Sequence, residues 1–384
     1  MAAAAFHEAV AAAAGVAAQH ADDVDARARF PREAIDALRD GGTLGASVGT
    51  AHGGPDVGFA DICDACRVLS RGCAATGMIF AMHHIQVASI ARHAGDSAYI
   101  RDYLGRVASE QRLVASATSE VGTGGDLRRS IACVEDRGGG RLGFTKNAPT
   151  VSYGGHADDV LTTVWRGPDA DASDQVLVLT ARDESGMTQT GEWDTMGMRG
   201  TCSPGFEISA VFGPEQIVPG EFAPICSETM VPWSHLTWAH VWLGIATSAV
   251  GRAQAMVRAQ GRRSPDVTPE AGGRLSAVVA RLQAMRAFVD AATAEYAALM
   301  DGDPAHLSSF GYGLRINNLK IRASEDVAAI CHDALGVVGI AGYRNGTPFS
   351  LGRHVRDSLS AALMIGNERI HATNARILLV QREV

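Results

Sequence analysis

Long apolar runs are missing from this 384-residue chain, and no stretch is uninterrupted enough to span a bilayer. A basic leader followed by an apolar segment is missing too, so Met1-Ala-Ala-Ala-Ala-Phe-His-Glu does not read as a signal peptide. Basic charge is not in excess: the formal net charge is −8, which argues against non-specific nucleic-acid binding. Cysteines are few, seven in all, odd in number and scattered. Reduced thiols in a cytoplasmic protein are the simplest reading of that set. Cys63-x-x-Cys66 sits in an apolar helix with no second pair, which favours packing over a metal or redox site. Internal repeats and low-complexity linkers are also absent.

What is present is an ordinary soluble composition, 46% hydrophobic and 20% charged, on a chain long enough for more than one domain. Residues up to about Gly105 are Ala-rich with apolar residues at helical spacing: Ala9 to His20, Pro31 to Arg39, Phe59 to Leu69, Met78 to His93 and Asp96 to Leu104. From Gln111 to Pro219 the character changes to short β-type runs punctuated by Gly, Asp and Pro. The runs are Leu113 to Ser116, Ser130 to Glu135, Val160 to Trp165, Gln175 to Thr180 and Phe206 to Phe212. The last third is helical again, over Trp238 to Arg262, Ala271 to Met300, His306 to Leu335 and Arg356 to Arg382, lengths that suit a four-helix bundle. Gly336 to Pro348 reads as a Gly-rich loop before the last helix.

One segment carries chemistry more clearly than the rest: Ala117-Thr-Ser-Glu-Val-Gly-Thr-Gly-Gly-Asp126. Three glycines in four residues allow a tight turn and close approach to a ligand. The exposed N–H groups of such a loop can cradle phosphate or flavin oxygens, with Thr118, Ser119 and Thr123 adding hydroxyls. Alone it is a common turn pattern.

Read with three other segments, the loop resembles the flavin-contacting loop of the acyl-CoA dehydrogenase family, with Val121 and Gly125 as the main departures. Pro149 to Ala157 is similar to the family's Trp-Ile-Thr-Asn-Gly segment. Met196-Gly-Met-Arg-Gly-Thr-Cys-Ser-Pro-Gly-Phe206, followed by Val211-Phe-Gly-Pro, resembles its Leu-Gly-Met-Arg-Gly-Thr-Asp-Ser strand. Asp333 to Tyr343, then Arg356-Asp357 and Ile365-Gly366, resemble its C-terminal elements. The resemblance implies a multi-domain α+β fold: an N-terminal helical domain (1–110), a middle β-barrel domain (111–225) and a C-terminal four-helix bundle (226–384).

It also implies FAD as cofactor. Thr118, Ser119, Gly124 and Gly125 would border the flavin. Thr150 stands where the family has the Trp that packs on the ring, and Ser152 where it has the Thr near N5. Arg263, Gly336 and Gly339 would approach the dinucleotide, in the family across a subunit boundary, so a homodimer or homotetramer is implied. The family reaction is α,β-dehydrogenation of an acyl thioester, on CoA or a carrier protein, with electrons passed to an electron-transfer protein.

The pattern breaks at the base. Ile365 occupies the position of the usual catalytic Glu, and the alternative position on the first bundle helix falls near Thr237 or Trp238. Glu368, three residues on, shares a similar helix face and is either a displaced base or a solvated carboxylate. His84, of the pair His83-His84, is the other candidate, against a packing role. Two further readings stay open. One is a flavin-dependent monooxygenase of the same fold fed by a flavin reductase, although Leu363 or Met364 stands where that branch carries a His. The other is a non-catalytic relative.

Overall fold

The computed structural model describes residues 3–124, 126–171, 173–263, 271–300, 302 and 304–381. Five helices open the chain: α1 (Ala3–Ala26), α2 (Arg32–Asp40), α3 (Phe59–Gly72), α4 (Ala74–Arg92) and α5 (Ala98–Glu110). In α1 a stripe of Phe6, Val10, Ala13, Ala17, Ala21 and Val24 faces inward at helical spacing. In α3 the buried stripe is Phe59, Ile62, Cys63, Cys66 and Leu69, so both cysteines are core residues. Burial pushes both thiols up, and no group of metal-ligating side chains occurs among the described residues. Nearly every residue of α4 is buried, which marks it as the central helix of this region.

Seven strands follow: β1 (Val114–Ala117), β2 (Glu135–Gly138), β3 (Arg141–Ala148), β4 (Asp159–Trp165), β5 (Gln175–Ala181), β6 (Ser185–Gln189) and β7 (Phe206–Phe212). They form two sheets, of order β1-β4-β5 and β2-β3-β7-β6, and not the expected closed barrel. Among the described residues an isolated bridge links Cys133, just before β2, to Trp165 of β4, and no ladder joins the two sheets. The first sheet pairs β1 with β4 in parallel, Val114 opposite Asp159, and buries β4 and β5 almost end to end. Such double-sided burial needs cover on both faces. The second sheet is antiparallel, with β7 alternating between buried and exposed positions. The Ser130 to Glu135 run is mostly not strand, whereas β3 and β6 formed without a strong apolar pattern.

A helical turn, α6 (Phe222–Pro224), and a π-helical turn (Ile225–Met230) lead into α7 (Val231–Arg263), α8 (Ala271–Met300) and α9 (Phe310–Val338). Then come a short turn α10 (Ile340–Tyr343), α11 (Gly352–Leu359) and α12 (Asn367–Leu378). The C-terminal region is therefore three long helices and a broken fourth: the helix expected over Arg356 to Arg382 stops at Leu359 and restarts at Asn367. Gly336 lies inside α9 and not in a loop. The main hydrophobic core runs from Phe6 to Ala361, and a small second cluster joins Ala17, Ala21 and Val24 of α1 to Ala34, Cys73 and Ala75. No described helix is long and apolar enough to cross a membrane.

Candidate functional site

β1 ends at Ala117 and delivers the chain into the glycine-rich loop. Gly122 and Gly124 take φ of +93° and +61°, a region that favours glycine. Val121 N donates to Asn147 O at 3.0 Å, and Thr123 Oγ1 donates to Glu120 O at 3.0 Å. Beneath the loop lies a buried ionic device. Lys146 Nζ, from β3, donates to Thr163 O at 2.7 Å, to Thr163 Oγ1 at 3.1 Å and to Thr118 O at 3.5 Å. Glu120 Oε2 lies 3.7 Å from the same ammonium. The Glu120 carboxylate also accepts from Ile131 N at 3.0 Å and Ala132 N at 2.6 Å. Burial lowers the Lys146 amine to about 8, with Glu120 opposing the shift. Buried charge is tolerated only when paired and hydrogen-bonded, and here the pairing fixes the loop's underside.

The loop meets the second segment through hydroxyls. Ser119 Oγ donates to Thr150 O at 3.1 Å and lies 3.3 Å from Thr150 Oγ1. Ser203 Oγ donates to Ser152 Oγ at 3.1 Å and lies 2.8 Å from Thr201 Oγ1. Thr201 Oγ1 donates to Met198 O at 2.9 Å. Thr118, Ser119, Thr150 and Ser152 thus stand exposed or half-buried, with Ser203 and Thr201 buried behind them. Tyr153, Met198 and Cys202 all have positive φ, of 43°, 52° and 43°. Non-glycine residues in this region are strained, and such residues cluster at functional sites. Tyr153 is held there by its N–H to Thr201 O at 2.8 Å and its hydroxyl to Val114 O at 2.9 Å.

The third segment reaches the fourth by direct contact. Gly197 packs so closely on α11 that an added Cβ would sit 2.2 Å from Arg356 O. Met198 N donates to Asp357 Oδ1 at 2.6 Å. Burial pushes the Asp357 carboxyl up to about 6. Arg356 pairs with Asp25 of α1 and donates to Met196 O at 2.7 Å.

Beyond α11 the chain turns through 360–366. Ile365 takes φ of +45°. Its carbonyl accepts from Lys320 Nζ of α9 at 3.0 Å, and the same ammonium donates to Asn367 Oδ1 at 2.7 Å. The turn then starts α12, whose Arg369 borders the glycine-rich loop: a Cβ built on Gly124 would lie 3.9 Å from Arg369 Nη2. Glu368 is exposed in the first turn of α12, where a carboxylate also complements the helix dipole.

The structure therefore brings Thr118, Ser119, Gly124, Thr150 and Ser152 into one region, with Arg369 at its edge, whereas no contact joins Glu368 to it among the described residues. Gly125 lies outside the described residues. Arg263 ends α7 and is exposed, Gly336 is an exposed position of α9, and Gly339 caps that helix with φ of +68°. No hydrogen bond among the described residues links these three to the loop.

His84 is fully buried, with Ser47 Oγ 2.9 Å from Nδ1 and Thr43 O 3.2 Å from Nε2. Nε2 donates to that carbonyl, so Nδ1 accepts from Ser47. Burial lowers its proton affinity well below that of a free imidazole. His83 is held alike, Nε2 to Leu44 O at 2.7 Å and Nδ1 accepting from Val114 N at 3.1 Å. Both rings tie α4 to its neighbours, and neither meets solvent. Trp233, Trp238 and Trp242 are buried in the bundle, Trp233 edge-on to Phe59 with ring centroids 4.7 Å apart. Thr201 and Ser203 lie in the Met-Arg-Gly-Thr segment already noted, though their bonds were not anticipated, whereas Lys146, Lys320 and Arg369 belong to no motif.

Residues 3–111 match the family description "Acyl-CoA dehydrogenase, N-terminal domain", and residues 228–376 match "Acyl-CoA dehydrogenase, C-terminal domain". The chain is 27% identical over 358 residues to L-evernosamine nitrososynthase of Micromonospora sp., covering 88% of this chain and 81% of that one. It is 26% identical over 363 residues to cyclohex-1-ene-1-carbonyl-CoA dehydrogenase of Geobacter metallireducens, covering 92% and 91%. Its fold matches that of FMN-bound TdsC from Paenibacillus sp. A11-2, a dibenzothiophene monooxygenase, with TM-score 0.85, 19% identity and coverage of 99% and 98%.

Proposed function

The chain belongs to the acyl-CoA dehydrogenase family, and from that premise we propose that it is a flavin-dependent monooxygenase of this fold. It would receive reduced flavin from a separate reductase and oxygenate a small organic substrate. In the balanced reaction, substrate, dioxygen and reduced flavin give oxygenated substrate, water and oxidised flavin.

The observation that carries this reading is the chemistry at the two base positions. Ile365 occupies one, in a turn whose neighbouring charge is the Lys320 ammonium. At the other, Thr237 Oγ1 is spent on Trp233 O at 2.7 Å and Trp238 is buried. Removing a proton α to a thioester needs an acceptor within hydrogen-bond reach. An alkyl group stands at one position, and a committed hydroxyl and a buried indole at the other. Relatives named as a nitrososynthase and as a dehydrogenase align over similar spans at similar identity, and the missing base is what favours the first kind of chemistry here.

The hydroxyl track and the glycine turns fit a flavin. Ser119, Thr150 and Ser152 offer hydrogen bonds to a heteroatom-rich ring, and the N–H groups near Gly122 and Gly124 suit its polar edge or phosphate. When bound, reduced flavin supplies the electrons that activate dioxygen. The chain's own hydroxyls would hold the ring. FAD would call on Arg263, Gly336 and Gly339 of a neighbouring subunit, and the exposed Ile340, Tyr343 and Leu363 supply apolar surface for a homo-oligomer.

A second reading is dehydrogenation of an acyl thioester on CoA or a carrier, with Glu368 as displaced base and an electron-transfer protein as acceptor. It is favoured by the exposure of Glu368, which forms no ion pair among the described residues, beside Arg369 at the loop.

One experiment separates the readings. Purified protein is supplied with FMN, NADH and a flavin reductase, and a substrate panel is screened for products 16 mass units heavier. In parallel, flavin-loaded protein is mixed anaerobically with acyl thioesters. Oxygenated product without bleaching supports the monooxygenase. Bleaching that is lost in Glu368→Gln overturns it. Failure to take up any flavin leaves the non-catalytic relative.

A further inference from the structure

Of the 34 Lys and Arg side chains in this sequence, only Lys146 and Lys320 are lysine. Both are fully buried. A lysine ammonium is a compact, strongly hydrated point charge and almost never sits wholly inside a protein unpaired. Each of these two ends on the backbone of a segment bordering the site. Lys146 reaches the glycine-rich loop through Thr118 O. Lys320 reaches the turn between α11 and α12 through Ile365 O.

The two environments differ in one respect. Lys146 has Glu120 at 3.7 Å. The partners of Lys320 are neutral: Ile365 O, Asn367 Oδ1 and the Trp242 ring, whose centroid lies 5.9 Å from Nζ. Asn367 is fixed in turn, its Nδ2 donating to Ser324 Oγ at 3.1 Å one helical turn along α9. A buried cation satisfied only by a turn is costly to keep. The turn is itself strained, because β-branched Ile365 sits at φ +45°. Two residues past Asn367, Arg369 stands against Gly124.

We propose that Lys320 is a positioning residue of the flavin site: by clamping Ile365 and Asn367 to α9 it sets where the first turn of α12 meets the glycine-rich loop. The proposal rests on the flavin reading above, and the clamp itself is measurable without flavin.

The test uses the full chain and two readouts. Hydrogen exchange on flavin-free protein follows the amides of 363–370, and fluorescence quenching follows FMN affinity. Lys320→Met keeps the stem and removes the donors. It is expected to speed exchange across 363–370 at least tenfold, leave α1 to α5 unchanged, and weaken FMN at least fivefold. Asn367→Asp gives the ammonium a carboxylate and is expected to slow the same amides. If Lys320→Met does not fold, Asn367→Ala removes one acceptor only and is expected to shift both readouts the same way by less. Unchanged exchange in the variants overturns the clamp. Faster exchange with unaltered FMN affinity overturns the positioning role. If the wild-type protein binds no FMN, the flavin reading and the positioning role fall together, while exchange still decides the clamp.

Discussion

Met198 N donates to Asp357 Oδ1 at 2.6 Å, and this bond ties the Gly-Met-Arg-Gly-Thr segment to α11. The carboxyl is fully enclosed and pushed up to about 6 by burial. An acid whose folded pKa is raised binds more protons folded than unfolded, so its contribution to stability falls as pH rises from about 4 to about 6. Asp357→Asn keeps an acceptor for Met198 and removes that dependence. Melting temperatures from pH 4 to 7 should show the variant gaining on the wild type up to pH 6 and then running parallel. The gain has an upper bound of about 3 kcal/mol, at 1.36 kcal/mol per pKa unit. A constant offset would contradict the assignment.

Lys146 and Lys320 are both lowered to about 8 by burial. Protein labelled with carbon-13 at lysine should show two side-chain signals, each assigned by its loss in the matching Met variant. Both should titrate near 8, far below a free amine at about 10.4. The unfolded chain holds these protons to higher pH, so the two groups make stability rise between pH 8 and 10. Midpoints near 10 would mean that water reaches the ammonium groups.

Ser119 bonds Thr150, and Ser152 is bonded by Ser203. Replacing Ser119 or Ser152 by Ala should weaken FMN binding about fivefold each, from the loss of roughly 1 kcal/mol per hydrogen bond. Both sites are partly exposed, so thermal stability should shift little. Calorimetric FMN titration with a parallel melt separates the two effects.

His84 spends both ring nitrogens on Ser47 and Thr43. His84→Ala should cost about 2 to 4 kcal/mol, because it leaves a cavity and strands buried partners. Folded variant protein should retain its FMN affinity and its rate per bound flavin. A specific loss of rate without a loss of stability would restore His84 as a catalytic candidate.

Much of the helical frame was legible because its apolar spacing is regular. Phe59, Ile62, Cys66 and Leu69 announce α3, and the buried faces of α7 and α9 are of the same kind. The broken last helix was not legible. No proline interrupts Ser360 to Gly366, and the turn's bond to Lys320, 45 residues earlier, follows no local spacing. β3 was hidden by Gly143, Lys146 and Asn147, which are poor strand formers. It exists because β2 and β7 flank it. Of the site, the loop, Thr150 and Ser152 were found through motif resemblance. Their supports were not, since the bonds from Lys146 to Thr118 and from Ser203 to Ser152 follow no local spacing. The scarcity of lysine is a signal in the sequence for the first of these bonds, and the Met196 to Phe206 motif contains Ser203.

That scarcity gives the folded surface an unusual chemical silence. Every side-chain cation the described exterior presents to water is a guanidinium or an imidazole, and both lysine amines are enclosed. Amine-directed acylating reagents, and crosslinkers built on them, find no lysine to modify while the fold is closed. Any lysine adduct that does appear is a record of opening at the glycine-rich loop or at the turn before α12, the two places where those amines are kept.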